Sequence, residues 1–182
     1  MIHKQTTKEV LSASIHDLAT TKPFSKITIR EIAYNCGVSA TTFYNHFHDK
    51  FDLIIWEFNI KIENIYKKFE DGEITWKGVI VELIELFGDD QQFYINAIRD
   101  HQSGNLFFET KDVRAIELFT DIVEKRTGKK PSEEINFDLT LYVKGISYCI
   151  AEWYVNTPEY SKEALAEYLY NIRPSKLQDI IK

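Results

Sequence analysis

Phe51, Ile54, Ile55, Phe58, Ile62, Ile65 and Phe69 recur every three or four residues with no glycine or proline between 51 and 69. That spacing gathers all of them on one side of an α-helix and would scatter them over both faces of a strand. The same period returns along the chain, which has only seven Gly and four Pro in 182 residues, and no alternation of apolar and polar residues lasts long. The expected fold class is all-α, about nine helices in number.

The helix boundaries follow from cap and turn chemistry. Leu11, Ile15, Leu18 and Ala19 share a face of a helix over about 7–21, which Pro23 ends. Thr28 and Glu31 form the T-x-x-E pattern of a capping box, starting a helix at 28 that runs to about 35. Gly37 stops it, Ser39 can cap a third helix over about 39–46, and Asp49 can cap the long fourth. Five more helices are expected over 76–87, 90–101, 105–126, 133–156 and 161–172, separated by "GDD", "SGN", "TGKKP" and "NTPEYS". A domain boundary is placed where short helices give way to long ones, dividing the chain into residues 1–48 and 49–182.

Composition narrows the function classes. The net charge of −6 speaks against a polyanionic partner until the chain is divided. Residues 1–50 hold six Lys or Arg against four acids, a net of +2, and the remainder holds 16 basic against 24 acidic residues, a net of −8. No apolar run is long enough for a membrane span and no signal peptide opens the chain, so a cytoplasmic protein without membrane contact is expected. Cys36 and Cys149 are far apart and read as reduced thiols. No catalytic constellation or cofactor motif is found, and the spacing of His46 and His48 points them to different sides of a helix, so no metal site is expected.

"GVSATTFYNHF" over 37–47 is the stretch with chemistry in it. A helix from 28, a turn through "NCGV" and a helix from 39 match a helix-turn-helix, whose second helix enters the DNA major groove. Ile29, Ile32, Ala33, Val38, Phe43 and Phe47 fall where such helices must pack. That leaves Arg30, Ala40, Thr41, Thr42, Tyr44, Asn45 and His46 facing outward, and a solvated face would more often carry Lys and Glu. Small residues, hydroxyls, an amide and a phenol suit phosphates and base edges.

"TIREIAYNCGVSATTFYNHFHDKFDL" also resembles the N-terminal signature of the TetR (TetR/AcrR) family of bacterial transcription regulators, T-x-x-x-I-A-x-x-x-G-V-S-x-x-T-x-Y-x-x-F-x-x-K-x-x-L, at every fixed position. The resemblance covers the headpiece, about a quarter of the chain, with the quoted signature over residues 28–53. It implies a homodimer whose headpieces read a palindromic operator in double-stranded DNA and whose C-terminal domains bind an effector that changes headpiece spacing. Residue by residue, it implies base reading by Arg30, Ala40, Thr41 and Asn45. Phosphate contacts are implied at Thr42, Tyr44 and Lys50, with Thr28 and His46 beside them, and Ser39 belongs to the same set. Ala40 stands where the family often has a longer polar residue, so only methyl contact is available there.

The resemblance further implies that the last two helices pair with their mates in the dimer, and the helix over 135–155, apolar nearly all round, supports this physically. The aromatic-rich middle of the chain nominates Tyr94, Ile98, His101, Phe108 and Tyr148 as an effector pocket. The expected function is an operator-bound repressor released by a small-molecule effector. Two alternatives stay open. The C-terminal stretch also resembles the branch containing activators of dihydroxyacetone-kinase operons, which answer to a partner protein. From another class, the chain would be a helical ligand or interaction protein that binds no DNA.

Overall fold

The computed structural model describes residues 5–99, 104–156 and 159–181. Among these residues there are ten α-helices and no strand, as the helical period requires. They are α1 (Thr7–Ala19), α2 (Ile29–Asn35), α3 (Ala40–Tyr44), α4 (Lys50–Glu70), α5 (Trp76–Ile84), α6 (Gln91–Arg99), α7 (Gly104–Thr127), α8 (Glu133–Asn156), α9 (Lys162–Asn171) and α10 (Ser175–Gln178). Single 3-10 turns occupy Phe24–Lys26 and Gly88–Asp90. The short α10 follows the nine helices expected from the sequence. No helix among the described residues is long and apolar enough to cross a membrane.

The chain forms two compact units, Met1–Phe58 with Asp89–Phe108, and Asn59–Gly88 with Glu109–Lys182. α4 thus contributes residues 50–58 to the first unit and the rest to the second. Its apolar series is buried as the period demands, with Ile54, Ile55, Phe58, Ile62, Ile65 and Phe69 all in the core and Phe51 half-buried. Each side chain of this size removed from water contributes roughly 1.5–3 kcal/mol.

In the first unit, Leu11 and Ile15 of α1, Ile32 and Ala33 of α2, Phe43 and Phe47 are all buried, and α2 packs on both α1 and α3. Both short-range starts are capped reciprocally: Thr6 with Glu9 before α1 and Thr28 with Glu31 before α2. Asp49 accepts from the backbone N–H of Phe51 and of Asp52 at 2.8 and 2.9 Å and so caps α4.

The second unit is built around Trp76, which is fully buried with the Phe119 ring 4.6 Å and the Phe69 ring 5.3 Å away. Its indole N–H donates to the Tyr142 hydroxyl at 3.2 Å, which in turn donates to the Leu169 carbonyl at 2.8 Å. Burial pushes the Tyr142 phenol up to about 12, so it stays a donor. This relay ties α5, α8 and α9 together, and α5 packs along α9. α5 ends three residues earlier than the sequence pattern implied, because Glu85 takes a cap conformation and Gly88 follows at φ +45°.

Candidate nucleic-acid interface

Between α2 and α3 the chain turns through Gly37, which sits at φ +73°, the left-handed region where a side chain would be strained. The Gly37 N–H donates to the Tyr34 carbonyl at 3.1 Å and the Val38 N–H to the Ala33 carbonyl at 2.9 Å. That pair of bonds is the Schellman closure of a helix C-terminus. Ser39 then caps α3, accepting from the Thr42 N–H at 3.0 Å, with its Oγ 2.9 Å from the Thr42 hydroxyl. α2 is held on α1 by Ser14, whose buried hydroxyl donates to the Ile32 carbonyl at 2.8 Å, and by the Asn35 amide, which donates to Ser14 and Asp17.

The helix α3 spans five residues where the pattern implied eight, yet its facing is as expected: Phe43 is fully buried, and Phe47 just beyond it is 3% exposed. Their ring centroids are 5.8 Å apart, and Phe47 leans on Trp56 of α4 at 5.7 Å. Arg30, Ser39, Thr41, Tyr44, Asn45 and His46 are exposed, and Ala40 and Thr42 are half-buried. Tyr44 is 58% exposed, its ring edge-on to Phe43 at 5.8 Å. The sequence therefore leaves one cation, hydroxyls, a phenol, an amide and an imidazole exposed on α2, α3 and the residues just after α3.

Two members of the expected set are used elsewhere. Thr28 is exposed, but its hydroxyl donates to Glu31 at 2.8 Å and accepts from the Glu31 N–H at 3.3 Å. Lys50 is turned inward. Its ammonium donates to the carbonyls of Phe24, Ile27 and Ser25 at 2.8, 3.1 and 3.4 Å and lies 4.5 Å from the Phe24 ring centroid. Three donors on three carbonyls account for an ammonium's bonding capacity, so in this geometry Lys50 ties down the turn over residues 24–27. Tyr34, which the sequence reading passed over, is 87% exposed four residues after Arg30 and so one turn along the same helix face.

Of the proposed effector residues, Tyr94 and Tyr148 have side chains among those described. Tyr94 is fully buried and donates to the Glu57 carboxylate; burial and that carboxylate hold its phenol well above the ordinary range. Tyr148 is 63% exposed on α8. His101 lies outside the described residues, as do the side chains of Ile98 and Phe108.

A polar cluster that sequence reasoning missed surrounds Glu57. Besides Tyr94, its carboxylate accepts from the Ser12 hydroxyl at 3.1 Å and lies 3.0 and 3.2 Å from Nε2 of His16. The signal was available, because Glu57 interrupts the apolar face of α4 between Ile54 and Phe58, and a carboxylate there must be paired. Among the described residues no group of three His, Cys, Asp or Glu side chains is arranged to hold a metal ion.

Comparison with known proteins agrees with this geometry. Residues 12–55 match the bacterial regulatory proteins of the tetR family, and residues 74–174 match a transcriptional regulator C-terminal region. An HTH-type transcriptional regulator of Haemophilus influenzae is 22% identical over 125 residues, which is 65% of this chain and 61% of that protein, so the match spans under two thirds of the relative's length. Among solved structures, the dihydroxyacetone kinase operon activator DhaS superposes with a TM-score of 0.59 at 18% identity over 97% of this chain and 98% of that one. The fatty acid degradation regulator FadR from Bacillus halodurans gives 0.59 at 16% identity over 96% and 98%. The regulator FadR from Bacillus subtilis in complex with stearoyl-CoA gives 0.54 at 18% over 93% and 98%. At these identities the likeness is one of fold.

Proposed function

We propose, since this chain belongs to the tetR family of bacterial regulatory proteins, that it reads a palindromic operator as a homodimer and represses transcription until an effector changes the spacing of its headpieces. The observation that carries the reading is the exposed set Arg30, Thr41, Tyr44, Asn45 and His46, fixed over the buried Phe43 and Phe47. In this arrangement α3 enters the major groove, Arg30, Thr41 and Asn45 meet base edges, and Thr42, Tyr44 and His46 meet phosphates. Ala40 offers a thymine methyl a partner and nothing more. The working division is residues 1–48 for DNA and 49–182 for dimerisation and effector.

Repression is the simpler sign, since a dimer seated on an operator within a promoter excludes other proteins without any further contact surface. Dimerisation is supported by the outer stripe of α8. Phe137, Leu141 and Tyr148 are 68, 62 and 63% exposed, and Tyr168 and Ile172 at the end of α9 add to the apolar surface. An exposed apolar row on a long helix is the kind of surface that a partner helix covers.

The test is a gel-shift titration of the full chain on intergenic DNA beside its own gene, at several salt concentrations. Specific binding to a palindrome, weakening steeply as salt rises, supports the reading. Equal affinity for all fragments, or none, overturns it in favour of a helical protein that does not read DNA.

A further inference from the structure

Within the first unit, the last turn of α1, the turn at Phe24–Lys26 and the first turns of α6 border a half-open pocket of about 150 Å³. Thr20, Phe24, Asp90, Gln92, Phe93 and Asn96 line it, with His16 and Ala19. We propose that this pocket binds a small amphipathic organic cation, an ammonium carried on a short aromatic or aliphatic body.

Size sets the scale, since a cavity of this volume admits a molecule about as large as benzene. Charge sets the class. Asp90 lies on the lining with Oδ2 3.7 Å from Nδ1 of His16, and Glu57 pairs with the other nitrogen of the same ring at 3.0 Å. One imidazole between two carboxylates leaves net negative charge whichever protonation state it holds, and no lysine or arginine lines the pocket. α1 ends there, at Ala19, and a helix C-terminus carries partial negative charge. α6 begins there with partial positive charge, against which Asp90, immediately before its first residue, sets a full negative one.

The apolar wall is aromatic. The Phe24 and Phe93 rings stand 5.7 Å apart at 81° to one another, and Phe93 lies 4.0 Å from the His16 ring. Both rings are nearly buried, and with Ala19 they give the pocket an apolar side on which a short body can rest beside the carboxylate. Gln92 donates to Asn96 at 3.0 Å, so the amides on the α6 side are fixed in orientation. Asp90 is 59% exposed, which puts the ammonium at the mouth and the apolar body within. An anion would meet the Asp90 carboxylate on the lining with Glu57 behind His16, and a neutral ligand would gain nothing from that charge.

Titration calorimetry of the full-length protein with benzylamine and with benzyl alcohol, its neutral counterpart, tests the proposal without reference to DNA. The expected result is saturable binding of benzylamine, at least about tenfold tighter than the alcohol at low salt and less so at high salt. Asp90→Asn, which keeps the size and hydrogen bonding of the side chain, removes the preference for the amine, and Ala19→Leu, which fills the pocket, weakens both. Circular dichroism checks both variants, and Asp90→Asn decides the matter if Ala19→Leu fails to fold. No saturation with benzylamine at millimolar concentration, equal affinity for the two probes, or an unchanged preference in Asp90→Asn overturns it.

Discussion

The ammonium of Lys50 donates to the backbone carbonyl of Phe24 at 2.8 Å while lying over that residue's ring. A residue that the signature motif would place on DNA thus closes the turn that connects α1 to α2. A charged donor lost from such a bond costs about 1.5–3 kcal/mol. Lys50→Met is expected to lower the urea unfolding free energy by about that amount. A phosphate contact, by contrast, would appear as a change of about 0.9 in the slope of log affinity against log salt. The slope of Lys50→Met should stay within a few tenths of the parent's; a drop near 0.9 would show that the side chain leaves the turn for the DNA.

Gly37 isolates a backbone effect. A Cβ built at this position meets nothing within 4 Å, so no steric contact confuses the result. The left-handed conformation alone costs a side chain roughly 1–2 kcal/mol. Gly37→Ala should be destabilised by about that much in urea titration, and Gly37→Asn by less, since asparagine tolerates this region better. Equal loss in the two variants would point to a cause other than φ.

What the sequence made legible was whatever depends on period and local bonding. The helical class, the capping box of Thr28 and Glu31, the stop at Gly37 and the inward facing of Phe43 and Phe47 all follow from residues within a turn of one another. The chain was less legible where distant residues decide. Nothing near Lys50 in sequence announces the carbonyls of 24 to 27, because that contact exists only once α4 has docked. Glu57 likewise finds Ser12, His16 and Tyr94 across 37 to 45 residues. The end of α5 at Ile84 and the appended α10 were missed because weak apolar patterns run past the cap in the first case and are too short to show a period in the second.

Glu31 gives a pH dependence. Its carboxyl is lowered to about 2 by the Lys22 ammonium and by Thr28, whose hydroxyl and backbone N–H both donate to it. A depressed carboxyl contributes stability that is complete above its unfolded value, near 4.5, and is lost as pH falls toward 2. Tm measured from pH 7 down to 2 should show Glu31→Gln below the parent at neutral pH, with the gap closing through the interval between 4.5 and 2. A gap constant with pH would assign the effect to the cap geometry alone.

The exposed row Phe137, Leu141 and Tyr148 on α8 predicts an assembly state. Gly145, between Leu141 and Tyr148, leaves space in which a second helix approaches closely, for a Cβ there touches nothing within 4 Å. Leu141→Glu, placed in a paired helical interface, would bury a charge without a partner. Light scattering should find the parent dimeric and Leu141→Glu monomeric at micromolar concentration, with unchanged helical content. A dimeric Leu141→Glu would move the interface to another face.

The roles within the exposed set separate by what each change does to sequence preference. A phosphate contact strengthens binding to every sequence equally, whereas a base contact is worth about 1–3 kcal/mol only at its own base pair. Tyr44, 58% exposed and edge-on to Phe43, is held by its ring, so Tyr44→Phe removes the hydroxyl and keeps the packing. Binding to a panel of operators, each altered at one base pair, should fall uniformly for Tyr44→Phe. Arg30→Ala and Asn45→Ala should each flatten the panel at one position in each half-site, because the base that mattered there no longer has a reader. Ala40→Gln, which lengthens the one short arm of α3, should create a preference at a position where the parent tolerates change. A panel in which Tyr44→Phe shifts base preference while Asn45→Ala lowers all affinities alike would exchange the two assignments and rotate the proposed seating of α3 in the groove.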